Sequence, residues 1–308
     1  MRFALSPGQE KSAGGMYARL AELPALCCQA VGGEAEWADG VTAAWLCFYQ
    51  AAHLMDSIQD QDEPEDWWAE AGAGVALNVA SGLFFTASLL LESLRQEPTH
   101  VDLAGEIAPE FYRSFLTMCT GQQLELTNPQ PGLEQYWRYA AEKSGAFFAL
   151  ACWAGARLAT AEAGRLADLR HFGEHLGVLI QVRDDLDDFK ADRLSGRALQ
   201  SRRLGSALPL VFARAVLPER ERIQLNAALR RLGEDPEASV AIHHLIDQSG
   251  AGLYMIAELE RHRHQALDAL YAATPEEQAA AQLTRLVELD QGAERGTTFD
   301  RSKPIHRA

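Results

Sequence analysis

The chain has 308 residues, 47% of them hydrophobic, and a formal net charge of −15 at neutral pH. That length and apolar content suffice for a substantial core, while the negative charge argues against nucleic acid as a partner and against electrostatic docking on anionic lipid. Five cysteines (Cys27, Cys28, Cys47, Cys119 and Cys152) form an odd set without metal-ligand spacing, which predicts buried thiols in a reducing compartment.

No charged-then-apolar leader opens the chain, and no apolar stretch reaches the roughly 18 residues a membrane helix needs. The expectation is a soluble, cytoplasmic protein without an integral membrane segment. Strand signals are nearly absent, and apolar residues recur at three- and four-residue spacing. In chain order, helices are predicted over 15–31, 41–60, 72–95, 105–124, 132–162, 164–190, 205–215, 218–231, 236–248, 251–272 and 275–289. Gly32-Gly33, Pro64, Pro98, Asn128-Pro129, Pro218 and Pro275 fall in the loops or at helix starts, where such breakers belong. The short connections predict antiparallel neighbours in one all-α bundle over residues 1–293, followed by a loose tail from 294 to 308. The stretches 74–91 and 145–159 are apolar on most of their circumference and are expected in the middle of the bundle. An apolar interior with acidic residues at one end describes a container, with a central apolar cavity for a greasy chain and a charged head at its mouth.

Two acidic clusters suggest that mouth. Asp56 and Asp60 are four residues apart, as are Asp184 and Asp188, and Asp185 stands beside the second pair. Residues four apart share a helix face, and facing carboxylates suit a hard cation such as Mg²⁺ that bridges to substrate phosphates. The plain alternative is a pair of solvated acidic faces. Gln181 lies on the face of Asp184, placed to position a metal-bound water or a reacting group. Lys190, Arg193, Arg197, Arg202 and Arg203 follow closely as counter-charges for a diphosphate. Lys143 stands at the polar start of an apolar stretch, where it either snorkels to water or meets an anion. Gln122 and Gln123, with Glu125 a turn on, are expected at the same opening. Ala52, then Phe48 and Tyr49, lie one and two turns before Asp56 as the pocket floor. His53 is expected to be a packed, hydrogen-bonded histidine.

In their order these residues resemble the trans-isoprenyl diphosphate synthase family. Gln181, Asp184, Asp185 and Asp188 match its Gln-x-x-Asp-Asp-x-x-Asp motif, and Asp56, Ser57 and Asp60 its Asp-Asp-x-x-Asp motif with one carboxylate replaced. Gly121-Gln122, Lys143-Ser144-Gly145 and Ala207-Leu208-Pro209 match further family segments, and the likeness runs from about Gly32 to about Leu270. The resemblance implies the isoprenoid synthase bundle and a homodimer. It also implies three Mg²⁺ ions held by Asp56, Asp60, Asp184, Asp185 and Asp188. An allylic prenyl diphosphate would be bound by Lys143, Gln122, Arg202 and Arg203, its chain reaching Ala52 and Phe48. Lys143, Gln181 and Arg203 would assist ionisation.

The departures bear on the second substrate. Leu20 to Leu94 contains no Lys or Arg and twelve acidic residues, where family members place the cations that bind isopentenyl diphosphate. An anionic substrate without cations amid carboxylates is electrostatically unfavourable. The expected activity is therefore Mg²⁺-dependent ionisation of an allylic diphosphate, followed by transfer to a non-isopentenyl acceptor (an aromatic group or a peptide) or by cyclisation, as in ComQ-type prenyltransferases or synthase-like terpene synthases. Chain elongation and a catalytically inactive regulatory subunit are the alternatives.

Overall fold

In the computed structural model the described residues are 20–60, 68–96, 101–128, 130–195, 205–232, 235–274 and 277–288. Among them no strand occurs, in line with the all-α expectation. The helices are α1 (Leu23–Ala30), α2 (Asp39–Asp60), the single turn α3 (Trp68–Ala71), α4 (Ala73–Ser93), α5 (Val101–Thr127), α6 (Leu133–Ala140), α7 (Ala146–Arg157), α8 (Ala163–Ser195), α9 (Leu208–Val216), α10 (Glu219–Arg231), α11 (Pro236–Ser249), α12 (Ala251–Ala273) and α13 (Glu277–Glu288). The tail from 294, the acidic loop after Asp60, and Arg197, Arg202 and Arg203 lie outside the described residues. The side chains of Asp188, Lys190 and Arg193 do as well, although their backbone belongs to α8.

α7 is the helix that the bundle surrounds. Phe147, Phe148, Ala149, Leu150, Ala151 and Cys152 are consecutive and all buried, because α1, α5 and α8 close around them. Close approach depends on missing side chains. A Cβ on Gly155 would lie 2.0 Å from the Pro24 carbonyl oxygen of α1, and one on Gly173 of α8 would lie 2.5 Å from the Phe148 carbonyl oxygen. The α11–α12 corner uses Gly250 at φ +80°, a left-handed conformation that glycine adopts without a Cβ penalty.

The expectation for 74–91 is corrected. α4 packs on α2 and buries Ala76, Ala80, Ala87 and Leu91, but it turns Phe85 and Leu89 outward, each 71% exposed. The segment Ala73–Gln96 is, by length and composition, apolar enough to cross a membrane, so the expectation that nothing in the chain reaches that threshold is corrected too. Small residues on one face and large apolar ones on the other make a helix that reads as fully buried while one side stays open. The cysteine expectation is corrected in part: Cys27, Cys28 and Cys152 are buried, whereas Cys119 is exposed.

The single helix expected over 132–162 is three pieces. Between α6 and α7, residues Ala141–Gly145 form a π turn. π turns widen a helix by one residue and recur at functional sites. Two glycines grip this one. A Cβ on Gly121 of α5 would lie 2.9 Å from Lys143 Cγ, and one on Gly177 of α8 would lie 2.2 Å from the Ser144 carbonyl oxygen. The turn thus carries Lys143 and Ser144 between α5 and α8.

Candidate active site

Lys143 leaves the π turn toward α2 and α5. Its Nζ donates to Glu125 Oε2 at 2.5 Å and to Asp56 Oδ1 at 3.2 Å. All three side chains are largely shielded from solvent, at 16%, 12% and 27% exposure for Lys143, Glu125 and Asp56. Charge-assisted bonds of this kind are stronger out of water than in it. Lys143 is thus paired with two of the protein's own carboxylates, Glu125 and Asp56.

One turn beyond Asp56, Asp60 is buried at the end of α2. Gln122 of α5 donates from Nε2 to Asp60 Oδ1 at 3.4 Å. The other end of that amide, Gln122 Oε1, is buried and has no hydrogen-bond partner. Its neighbour Gln123 is exposed and does not join the opening as expected. His53 is also exposed and stacks on Tyr49 with ring centroids 6.2 Å apart.

The second motif reaches the neighbouring residue of the π turn from α8. Ser144 Oγ donates to Gln181 Oε1 at 2.9 Å, and Gln181 Nε2 donates to Asp185 Oδ1 at 3.3 Å. Gln181 therefore uses both ends of its amide to tie α8 to the π turn.

Asp185 differs from the expectation that it stands with the metal ligands. Its Oδ2 accepts from the Tyr136 hydroxyl and from the Leu208 backbone N–H, both at 2.8 Å. Leu208 opens α9, so this carboxylate caps the N-terminus of another helix, where the free N–H groups and the dipole favour a negative charge. Burial pushes the Asp185 carboxyl up to about 6, against the lowering effect of its Leu208, Tyr136 and Gln181 donors. Burial first, and then the Asp185 charge, holds Tyr136 well above the ordinary phenol range, so it stays a donor. Asp184, one residue earlier, is exposed; consecutive helix positions point about 100° apart, which separates the two roles.

Ser206 closes the ring. Its Oγ donates to Glu125 Oε1 at 2.9 Å, and its carbonyl oxygen accepts from the Tyr139 hydroxyl at 2.5 Å. Neither Tyr136, Tyr139 nor Ser206 was singled out in the sequence. Tyr136 and Tyr139, three apart on α6, carry the only signal: buried tyrosines require a hydrogen-bond partner.

Two turns before Asp56 on α2 the packing is aromatic. Phe48 of α2 is buried, with ring centroids 5.5 Å from Phe84, 5.2 Å from Phe115 and 6.0 Å from Phe147. Trp45 stacks on Phe147 at 4.7 Å. Ala52 lies one turn above Phe48 on α2 and is half-buried.

Among the described residues no three His, Cys, Asp or Glu side chains stand together as a metal cage. Mg²⁺ does not require one: it is commonly held by one or two carboxylates, waters and substrate phosphates. The residues present fit such an ion. The donors are hard oxygens, and the orphaned Gln122 Oε1 beside Asp60 is an acceptor for the proton of a metal-bound water.

The profile of the polyprenyl synthetase family matches residues 12–235. The chain is similar to a geranylgeranyl diphosphate synthase of Mycobacterium tuberculosis, 31% identical over 56% of this chain and 50% of the relative. It thus spans about half the length of that relative. It is also similar to a short chain isoprenyl diphosphate synthase of Methanothermobacter thermautotrophicus, 26% identical over 84% of this chain and 81% of the relative. The crystal structure of a geranylgeranyl pyrophosphate synthetase from Pyrococcus horikoshii superimposes with a TM-score of 0.79 at 19% identity, covering 91% and 87% of the two chains, which shows the shared all-α fold. Matched along most of its length by that family profile, the chain is a member of the polyprenyl synthetase family, the trans-isoprenyl diphosphate synthases.

Proposed function

We propose that the protein ionises an allylic prenyl diphosphate at the mouth formed by α2, α5, the π turn and α8, and extends the resulting cation with an isopentenyl unit. The observation that supports ionisation is that two hydrogen-bonded chains, one from each acidic motif, meet at adjacent residues of the π turn: Asp56–Lys143–Glu125–Ser206 and Asp185–Gln181–Ser144. Elongation is supported by the activities of the relatives, both of them isoprenyl diphosphate synthases by name.

Mg²⁺, three ions by resemblance, supplies Lewis-acid charge to the departing diphosphate when bound. Asp56, Asp60, Asp184 and Asp188 would hold the metal. Lys143 adds a fixed ammonium on the leaving-group side, where developing charge gains most from a preorganised cation. Arg202 and Arg203 are proposed as further counter-charges. The allylic C–O bond breaks with its electron pair leaving on the diphosphate. Phe48, Phe84, Phe115 and Phe147 keep water from the cation. Phe48 would also stop the prenyl chain below Ala52.

The lack of any Lys or Arg between Leu20 and Leu94 favours a second reading, in which an aromatic or peptide acceptor, or internal cyclisation, captures the cation. Product analysis with and without isopentenyl diphosphate separates the two. Longer prenyl diphosphates formed only in its presence support elongation. Metal-dependent consumption of the allylic substrate with isopentenyl diphosphate ignored supports the second reading, and no turnover of any allylic diphosphate would support an inactive regulatory subunit. The protein is proposed to act in the cytoplasm as a homodimer, with the open apolar face of α4 covered by a second copy.

A further inference from the structure

We infer that Glu125 is a positioning residue that keeps a counter-charge on the Lys143 ammonium when a divalent cation takes the place of that ammonium on Asp56. The inference rests on the metal-dependent ionisation proposed above and assigns a role to a residue outside both acidic motifs.

Lys143 Nζ lies between two carboxylates and nearer to Glu125, at 2.5 Å against 3.2 Å to Asp56. A divalent cation and the ammonium compete for Asp56: both are positive, and in a shielded site they repel strongly at short range. If Asp56 were the stronger partner for Lys143, metal binding would have to strip the ammonium of its counter-charge. With Glu125 present, Lys143 keeps a counter-charge when it releases Asp56 and remains beside the site, available to a diphosphate.

Glu125 is fixed for this task by independent contacts. Its second oxygen accepts from Ser206 Oγ at 2.9 Å, and Ser206 is itself buried and held through its carbonyl by Tyr139. Lys143 is fixed at its root, because its Cγ lies where a Cβ on Gly121 would come within 2.9 Å. Neither partner can drift far from the other. A carboxylate and an ammonium held this way differ from a surface pair, in which both chains move and the contact contributes little.

The experiment is Mn²⁺ binding, read by electron paramagnetic resonance without added diphosphate, on the wild-type protein and on Glu125→Gln, Lys143→Gln and the double variant. Glu125→Gln keeps the Ser206 contact and removes the charge. It is expected to weaken Mn²⁺ binding about tenfold, within the ordinary range of coupling between two sites. Lys143→Gln is expected to bind Mn²⁺ at least as tightly as wild type. The double variant is expected to recover the Lys143→Gln affinity, since no ammonium then competes. Ser206→Ala, which only loosens Glu125, is expected to shift binding in the same direction by less, and it serves where Glu125→Gln does not fold. Unchanged binding in Glu125→Gln overturns the inference. So does a double variant as weak as Glu125→Gln, which would make Glu125 a metal ligand in its own right. A wild-type protein that binds no Mn²⁺ overturns the metal-dependent reading and the inference together, whereas tight wild-type binding with an indifferent Glu125→Gln overturns the inference alone.

Discussion

At the scale of single residues, the chemistry rests on a lysine between carboxylates and on a carboxylate that is not free for metal. Lys143→Ala removes the fixed cation and leaves Asp56 and Glu125 facing each other. The expected result is a drop of about 10²–10³ in the rate of diphosphate release, the size seen when one preorganised charge partner is removed, with a smaller change in substrate KM. Steady-state kinetics check this, and a raised KM with kcat unchanged would assign Lys143 to ground-state binding. Tyr136→Phe leaves Asp185 short of one donor in a buried position. It is expected to cost about 1–3 kcal/mol of stability, read by denaturant unfolding, while Mn²⁺ affinity stays near wild type. A large loss of metal affinity in Tyr136→Phe would return Asp185 to the metal ligands. The shared helix faces of Asp56 with Asp60 and of Gln181 with Asp184 were legible in the sequence, because three- and four-residue spacing is a local property, whereas the bond from Ser144 to Gln181 was not. The duty of Asp185 was not: it depends on Leu208 and Tyr136, residues 23 and 49 positions away, and a motif gives no direction to its middle residue.

At the scale of elements, packing between helices decides where the site residues stand. The π turn carrying Lys143 is gripped through Gly121 and Gly177, and nothing local marks it, since Ala141–Gly145 has no proline and reads as ordinary helix. Gly177→Ala would press a methyl on the Ser144 carbonyl. The expected cost is about 1–3 kcal/mol, as for other overpacked contacts, with an activity loss beyond what partial unfolding explains; thermal melts alongside kinetics measure both. Full stability in Gly177→Ala would contradict the grip. The α8–α12 contact carries a second device. Arg261 donates to His262 Nε2 at 2.8 Å, and arginine has no acceptor, so the His262 proton sits on Nδ1 and points to His175 Nδ1 at 3.1 Å. Both rings are therefore neutral. Burial, then Arg261 and His175, lowers the His262 pKa to about 3, and burial also lowers that of His175, opposed by Glu174 and reinforced by His171 and Arg261. Between pH 6.5 and about 3 the unfolded chain binds protons that the folded pair refuses, so stability is full above 6.5 and falls as the pH drops through that window. Melting temperatures from pH 7.5 to 4.5 should fall less steeply in His262→Asn than in wild type. An equally steep acid limb in both would contradict the neutral pair.

At the scale of the whole molecule, the all-α bundle was legible because Ala- and Leu-rich three- and four-residue periodicity has no competing strand signal. The place of α4 within it was not, since an apolar composition does not say which faces of a helix its neighbours cover. Phe85 and Leu89 of α4 and Tyr112 and Leu116 of α5 are exposed apolar side chains on two helices in contact. Exposed apolar surface of this kind marks an interaction face where it is contiguous. Phe85→Glu combined with Leu89→Glu is expected to convert a dimer into monomers in light scattering, with the far-ultraviolet helical signal retained. A dimer that persists would place the interface elsewhere. The family match covers residues 12–235, which takes in both acidic motifs and Lys143, so assembly and chemistry are separate questions for this chain.

If the Lys143–Asp56–Glu125 mouth ionises an allylic diphosphate, it does so with the help of a divalent cation. The most direct test is diphosphate release from ten-, fifteen- and twenty-carbon allylic diphosphates, with Mg²⁺ or with EDTA, by the wild-type protein and by Lys143→Ala and Asp56→Asn. The account predicts release that requires Mg²⁺ and falls steeply in both variants. Release that is indifferent to EDTA, or unchanged when Lys143 and Asp56 are replaced, would contradict it.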